Sequence, residues 1–432
     1  MGPATVSRVA FSTLGCRLNQ AETDSMSEQL GSLGIEPVGV EDADVVVVNT
    51  CTVTREATKA SRSAIRRAVK ANPEAKVVVI GCYAVSDPDE VRSIEGVDVV
   101  LGNDAKDSLP DALGLRPASA PVLQIGMRTS PPKVRANLKV QTGCDEWCTF
   151  CIIPTTRGPL SSYSEESLVA EARKRVVAGA AELVLTGVHL GKYTFENGGD
   201  ERNLVRLFDR LLAIEGVKRL RLSSIFARHL TSEVLAFMAS EERMCRYLHV
   251  PLQSGDPGVL RDMHRSYRIE EYVEQVEGAV RALPGVALAT DVIVGFPTET
   301  EEAFQRTLDV VERIRFSKLH VFRYSPRPGT AAASLPDAVS SIVKKERSKR
   351  LIGAGNAIRA EFLRSHVGPP LEVLVEDERV VDGVTVSSGQ TSDYVRVWFE
   401  GAGLLGSLVT VRGTGVRADG LRGELVTTGG TR

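Results

Sequence analysis

The chain has no apolar run approaching the roughly 20 residues that a membrane-crossing helix needs. It is therefore expected to have no membrane partner. Its opening residues, MGPATVSRVAFSTLGC, lack the basic, apolar and cleavage-site order of a signal peptide, and a cytoplasmic location is expected. There is no excess of charge: 53 basic and 55 acidic side chains leave a net of −2, which on its own argues against a strongly basic nucleic-acid-binding protein. Low-complexity tracts and solenoid periods are absent. With 43% hydrophobic and 25% charged residues, a disordered or fibrous chain is excluded. A length of 432 residues suggests about three domains. The seven cysteines cannot all pair within one chain, and a protein of this length needs no disulfide staples. In a reducing compartment, clustered cysteines are more often metal ligands than bridges.

The chain is expected to be of the α/β class throughout its first two thirds. Residues 1–128 alternate β-branched runs (VAFSTLG at 9–15, DVVVVNT at 44–50, KVVVIGC at 76–82) with helical segments such as Ala21–Leu33 and Arg55–Ala71. Continuous apolar strands alternating with helices predict a small, doubly wound parallel-sheet domain. Arg128–Lys133, with two prolines and no apolar pattern, marks a linker, set at 129–135. A second alternation over 136–338 predicts strands at Leu138–Thr142, Glu182–Thr186, Arg219–Ser223, Tyr247–Pro251, Ala287–Val294 and Leu319–Tyr324. Six βα units are fewer than the eight of a full barrel, so a partial (β/α)6 barrel is predicted. Ser340–Leu363 reads as one helix within a connecting segment 339–365, stopped by Gly368 and Pro369-Pro370. The remainder, 366–432, has four strand-like runs, LEVLVE, GVTVSS, YVRVWFE and SLVTVRG, between Gly, Asp and Ser turns. It predicts a small all-β barrel.

Cys144, Cys148 and Cys151 form C-x3-C-x2-C just past the first predicted barrel strand, at the end where barrels carry their active sites. Three thiolates in one loop can hold three irons of a four-iron cluster and leave the fourth open. A chance cluster of structural cysteines or a zinc site is the alternative, but zinc would want a fourth ligand and none follows at a standard spacing. Cys16, Cys51 and Cys82 are far apart in sequence, yet each falls at or just after the end of a predicted strand. In a parallel sheet those ends share one edge, where doubly wound folds bind ligands. Three buried free thiols are the alternative there. Cys245 has no such context and reads as a packed thiol.

C-x3-C-x2-C at the start of a partial barrel resembles the radical S-adenosylmethionine (SAM) superfamily. The preceding domain with three dispersed cysteines resembles that of the methylthiotransferases. TLGCRLNQAET (13–23), GCDEWCTFCIIPTTRG (143–158), LTGVHLG (185–191), LHVPLQSGD (248–256) and DVIVGFPTETEEAF (291–304) look like that family's signatures, and GQTSDYVRV (389–397) is similar to the TRAM domain, a β-barrel RNA-binding module. The resemblance runs over nearly the whole chain and looks closest to the tRNA branch acting on N6-threonylcarbamoyladenosine (t6A). It implies a transferase that inserts a methylthio group at C2 of t6A at position 37, in the tRNA anticodon loop. The branches acting on isopentenyladenosine or on a ribosomal-protein side chain are the alternatives, and a non-catalytic iron–sulfur RNA-binding protein is a remote one. It also implies two 4Fe-4S clusters: one on Cys144, Cys148 and Cys151 that binds and cleaves SAM, and an auxiliary one on Cys16, Cys51 and Cys82 that carries sulfur. Two SAM molecules per turnover and an electron donor such as flavodoxin or ferredoxin follow from the same resemblance.

Thr186, Gly187, Gln253, Ser254, Asp291 and Gly295 fall at the ends of predicted barrel strands and are the candidate cofactor-binding residues. Charge is unevenly spread. Residues 55–76 and 344–364 each carry a net of +5, and 128–139 holds four basic and no acidic residues, whereas 366–432 has a net of −3. Lys344, Lys345, Lys349 and Arg350 are the candidate RNA contacts. On the two-cluster reading, anaerobic reconstitution should load about eight irons per chain, and replacing Cys16, Cys51 and Cys82 with alanine should remove about half while sparing SAM cleavage. Iron that falls to zero, or not at all, would refute the two-site assignment.

Overall fold

The computed structural model describes residues 6–115, 133–194 and 202–426, so most of the expected 129–135 linker lies outside the described residues. The chain divides into two compact units. The first combines residues 1–131 with 142–161 and 325–330, and the second holds the remainder. The cysteine loop at 144–151 thus folds with the N-terminal sheet. No helix among the described residues is long and apolar enough to cross a membrane.

In the first unit, five parallel strands run in the order Glu36–Pro37, Arg8–Thr13, Val45–Thr50, Lys76–Gly81, Val99–Leu101. The central strand VVVVNT is buried at every position, as a strand covered on both faces must be. One face packs Val46, Val48, Val77 and Val79 against Ala64, Ile65 and Ala68 of helix Arg55–Ala71. The other packs Val45, Val47, Val78 and Ile80 against Met26 and Leu30 of helix Arg17–Gly31. Thr54 caps the former helix by accepting from Ala57 N at 3.1 Å, the N-cap bond expected of a threonine. Sequence reading found the three inner strands and both helices but not the short edge strands, which are too brief for a pattern.

The second unit contains six parallel strands in sequence order: Arg135–Lys139, Glu182–Thr186, Arg219–Leu222, Tyr247–His249, Ala287–Val294 and Lys318–Arg323. Isolated bridges at Leu220–Met244 and Ser224–His249 join the two three-stranded halves. This is the partial (β/α)6 barrel. Its first strand begins three residues before the predicted Leu138, because Arg135 and Asn137 alternate with buried Ala136 and Leu138 rather than forming a continuous apolar run.

Residues 370–425 form a closed barrel in the order Pro370–Val381, Val384–Gln390, Arg396–Glu400, Gly420–Leu425, Leu408–Arg417. The fifth strand, GLRGEL, pairs parallel with Arg396–Glu400 and closes the ring. Its glycines hid it from a propensity reading. This barrel is fastened to the central one through buried arginines. Arg219, 2% exposed, donates to Gln390 O at 2.7 Å and Glu372 O at 2.9 Å. Arg221, fully buried, pairs with Glu182 at 2.7 Å, donates to Ser392 O at 2.9 Å, and lies 4.4 Å from the Tyr394 ring centroid. The GQTSDYVRV segment is therefore a docking element. Its carbonyls and its tyrosine complete the shells of two charges on the central barrel's strands, which would otherwise be buried without enough partners.

Helix Ser341–Arg364 leads into this docking. Just beyond its end, His366 bonds through Nε2 to Asp393 and through Nδ1 to Phe362 O at 2.8 Å. Burial opposes the charge on His366, but the Asp393 bond and charge raise its pKa overall above the ordinary 6.5. A raised histidine stabilises the fold fully below its unfolded value and loses that contribution as pH climbs through the folded one. Unfolding midpoints should therefore decline as pH rises from 6.5. His366→Gln should flatten that decline, and an unchanged slope in the variant would exclude the pair as its source.

Candidate functional site

Cys16 precedes helix Arg17–Gly31 as its N-cap, Cys51 follows strand Val45–Thr50 directly, and Cys82 opens the short helix after strand Lys76–Gly81. The parallel register brings these ends to one edge of the sheet. Two glycines permit the convergence. Gly15 has φ +97°, and a Cβ there would stand 2.8 Å from Cys51 Sγ; Gly81 has φ +108°, and its Cβ would stand 2.5 Å from Thr50 O. Burial, and then the nearby Cys82 and Cys16 thiols, push Cys51 up to about 11. A metal ion removes such a proton, since thiolate is the ligating form.

Cys144, Cys148 and Cys151 belong to the same unit. Their loop is pinned by Cys144 N donating to Gly158 O at 3.3 Å and Cys151 N to Cys148 O at 3.0 Å. Gly143, at φ +71°, lies so close to Pro159 that a Cβ would meet its carbonyl oxygen at 1.8 Å. Two backbone amides point at sulfur: Glu146 N at 3.4 Å from Cys144 Sγ and Ile153 N at 3.5 Å from Cys151 Sγ. Amides donated to sulfur favour the thiolate. None of the seven cysteines forms a disulfide. Each triplet thus offers three sulfur donors, the set that holds three irons of a four-iron cluster.

A buried charged network lies beside Cys82 and Cys16. Glu22 accepts from Lys106 Nζ at 2.6 Å and from Arg157 Nη1 at 2.8 Å, and all three are at most 8% exposed. Arg157 Nη2 also donates to Asn19 Oδ1 at 2.5 Å. Asn19 Nδ2 holds Leu14 O at 2.7 Å and Thr50 O at 3.0 Å, the carbonyls of the two chain segments that present Cys16 and Cys51. Asn103 Nδ2 bonds Thr156 O at 2.7 Å and lies 3.8 Å from Cys82 Sγ. Two cations therefore share one carboxylate. Burial lowers the pKa of Lys106, and Glu22 and Cys82 support its charge. The surplus positive charge lies next to Cys82 and Cys16, where thiolate sulfur would balance it.

Arg157 is buried and faces the Glu22 carboxylate rather than forming a salt bridge at the surface. Glu22, Lys106 and Asn103 carried no sequence signal, because proximity across 84 or 135 positions has no local pattern.

In the second unit, Thr186 is buried with its hydroxyl on Val184 O, and Gly187 lies against Gln141, whose Oε1 would be 3.0 Å from a Cβ. Gln253 adopts φ +63° and bonds Asp291 O through its backbone N at 2.8 Å. Ser254 is fully buried, its hydroxyl 3.3 Å from Thr307 and accepting from Asp256 N, so it braces the turn rather than facing a ligand. Gly295 donates its N–H to Glu299, and the Lys344 stem fills the space where its side chain would be, 2.3 Å from a Cβ. That face is closed to a cofactor. Asp291 Oδ1 sits 2.9 Å from His320 Nδ1 and 3.1 Å from His249 Nε2. Despite burial, the two histidines hold Asp291 well below the usual carboxylate range. Of the four residues expected to meet RNA, Lys344 is 7% exposed and paired with Asp337 at 2.7 Å, and Arg350 is paired with Glu301. Lys345 and Lys349 are exposed.

The Glu22 network generates a stability test. Glu22→Gln leaves two buried cations without their counter-charge and should cost about 3–5 kcal/mol in denaturant unfolding. A change below about 1 kcal/mol would show that the network is not a structural support.

Comparison with known proteins agrees with this architecture. Residues 8–102 match the family described as Uncharacterized protein family UPF0004, and residues 138–311 match the Radical SAM superfamily. A threonylcarbamoyladenosine tRNA methylthiotransferase of Bacillus subtilis is 38% identical over 423 residues, covering 94% of this chain and 93% of the relative. One from Aquifex aeolicus is 39% identical, covering 94% and 99%. A tRNA-2-methylthio-N(6)-dimethylallyladenosine synthase of Moorella thermoacetica is 35% identical, covering 96% and 97%. Among solved structures, a radical SAM methyltransferase from Kitasatospora setae shares the fold at TM-score 0.56 and 16% identity, covering 76% of this chain and 77% of that one. Radical SAM membership implies a 4Fe-4S cluster and SAM. On these grounds the chain belongs to the radical SAM methylthiotransferase family.

Proposed function

We propose that this enzyme inserts a methylthio group at C2 of N6-threonylcarbamoyladenosine at position 37, in the anticodon loop of tRNA, giving 2-methylthio-t6A. The observation that carries the reading is the pair of cysteine triplets in one compact unit, with a buried surplus of positive charge beside Cys82 and Cys16. A single SAM-cleaving cluster needs only one triplet. The surplus charge beside Cys82 and Cys16 is what an auxiliary cluster on Cys16, Cys51 and Cys82 requires. The relatives named for t6A support the substrate. The reading includes two SAM molecules per turnover, an electron donor of the flavodoxin or ferredoxin kind, and a cytoplasmic setting. It also includes a functional division into 1–128, 136–338 and a TRAM-like 366–432.

When bound, the cluster on Cys144, Cys148 and Cys151 supplies the electron that cleaves SAM. The chain's own residues set the geometry. Backbone amides of Glu146 and Ile153 approach two of the sulfurs at 3.4 and 3.5 Å and would hold them in place as cluster ligands. Thr186, Gly187, Gln253 and Asp291 form the barrel rim for the cofactor. Asp291, kept ionised by His249 and His320, offers a fixed negative charge there. Modifying a base requires it to be extruded, and an anticodon loop offers unstacked bases.

Three surfaces suit RNA. In the first unit, Arg55, Lys59, Arg66, Arg67 and Lys70 are exposed along one helix. In the second, Lys345 and Lys349 are exposed on the long helix. Also in the second unit, Trp398 is ringed by Arg379, Arg396 and Arg417, each with its guanidinium carbon 5.2–5.5 Å from the ring centroid. An aromatic face set among arginines is a base-stacking platform, although Arg379 and Arg417 are also paired with Asp377 and Asp419.

Mass spectrometry of tRNA nucleosides tests the substrate. A strain lacking the gene should lose 2-methylthio-t6A and keep t6A, and the chain with Cys16, Cys51 and Cys82 replaced by alanine should not restore it. Loss of the methylthio group from isopentenyladenosine instead would reassign the branch. Unaltered tRNA would turn the search to a protein side chain.

A further inference from the structure

Arg327 stands between Pro326 and Pro328, after the last strand of the (β/α)6 barrel in sequence, and folds into the cysteine-bearing unit. Its Nη1 donates to Thr52 Oγ1 at 2.9 Å and to Thr58 Oγ1 at 3.1 Å. Thr52 directly follows Cys51, whose own N–H is held by Ser61 Oγ at 3.1 Å. These bonds fix the guanidinium beside Cys51. Its Nη2 is buried and has no hydrogen-bond partner. Burial works against the charge of Arg327, and Cys51 is the strongest group supporting it.

The other two cations of the site are already engaged. Arg157 is taken up by Glu22 and Asn19, and Lys106 by Glu22. Arg327 alone among these three keeps a buried donor unmet. Buried donors are almost always satisfied, so this one implies an acceptor that the protein itself does not provide. An anionic acceptor answers a guanidinium, and a soft one suits a position beside iron held by thiolates.

We propose that Arg327 is an anion-binding residue of the auxiliary site, whose Nη2–H donates to a small sulfur anion of the hydrosulfide class held at the coordination position that Cys16, Cys51 and Cys82 leave open. This rests on the two-cluster reading and names the residue that recognises the sulfur. Binding is ligand association, with no change of oxidation state and no bond broken in the protein.

The test uses full-length chain carrying Cys144→Ala, Cys148→Ala and Cys151→Ala, reconstituted anaerobically, so that only the auxiliary cluster remains. The reduced cluster is titrated with sodium hydrosulfide and followed by electron paramagnetic resonance, in this parent and with Arg327→Gln or Arg327→Lys added. The parent should hold about four irons. Arg327→Gln should keep that iron and bind hydrosulfide on the order of tenfold to a hundredfold more weakly, the loss expected for a charge-assisted hydrogen bond. Arg327→Lys, which keeps the charge without the fork, should recover part of the affinity. Equal affinity in all three with iron intact overturns the proposal. Should Arg327→Gln load poorly, parent-like affinity in a fully loaded Arg327→Lys together with no shift in the cluster spectrum overturns it as well. A parent that holds no iron refutes the two-cluster reading instead.

Discussion

One buried carboxylate shared by two buried cations organises the first unit. Glu22 lies on the helix that Cys16 begins, Lys106 comes from the segment after the last sheet strand, and Arg157 ends the short helix after the C-x3-C-x2-C loop. Removing charges from water is costly, and a single carboxylate does not neutralise a lysine and an arginine. The arrangement is consistent with additional negative charge nearby, and the adjacent sulfurs are the groups able to carry it. On the proposed two-cluster reading, the interaction that locks the cysteine loop onto the sheet also prepares the sheet edge for an anionic centre. Structural support and electrostatic preparation come from the same side chains.

The second unit solves a similar problem by other means. Arg219 and Arg221 are buried on a strand reading RLRL, where a core strand would ordinarily be apolar. They are satisfied by Glu182 and by backbone carbonyls of residues 372 and 390–392. Tyr394 accepts a positive φ of 75° while its ring covers Arg221. The GQTSDYVRV segment is thus explained by docking within the chain. On the proposed function, the side chains offered to RNA are elsewhere on the same barrel, around Trp398.

Much of this was legible in the sequence because it follows from periodicity. Strands Glu182–Thr186 and Ala287–Val294 and helix Arg55–Ala71 have the predicted bounds, since each has a strong apolar pattern with clear stops. The convergence of Cys16, Cys51 and Cys82 followed from the shared direction of parallel strands. What escaped reading depends on distant pairs or on weak local signals. Lys344 looks like its neighbours Lys345 and Lys349 in a basic run, but only the fold turns it inward to Asp337 and Gly295. Ser254 and Gly295 occupy the expected strand ends, yet one is sealed by Thr307 and the other by Lys344. A strand-end position gives the rim, not the direction in which a group faces.

The closing strand of the C-terminal barrel has a reach beyond its own hydrogen bonds. Gly420–Leu425 is the last strand of the described chain and completes the ring between Arg396–Glu400 and Leu408–Arg417. A chain ending before Gly420 would leave two open sheet edges, which are prone to pair with other chains. It would also loosen Arg396–Glu400 and, through it, the adjoining segment that caps Arg219 and Arg221. The earliest casualty of a C-terminal truncation would then be the middle of the catalytic barrel, where two stranded guanidinium groups would draw water into a core built to exclude it.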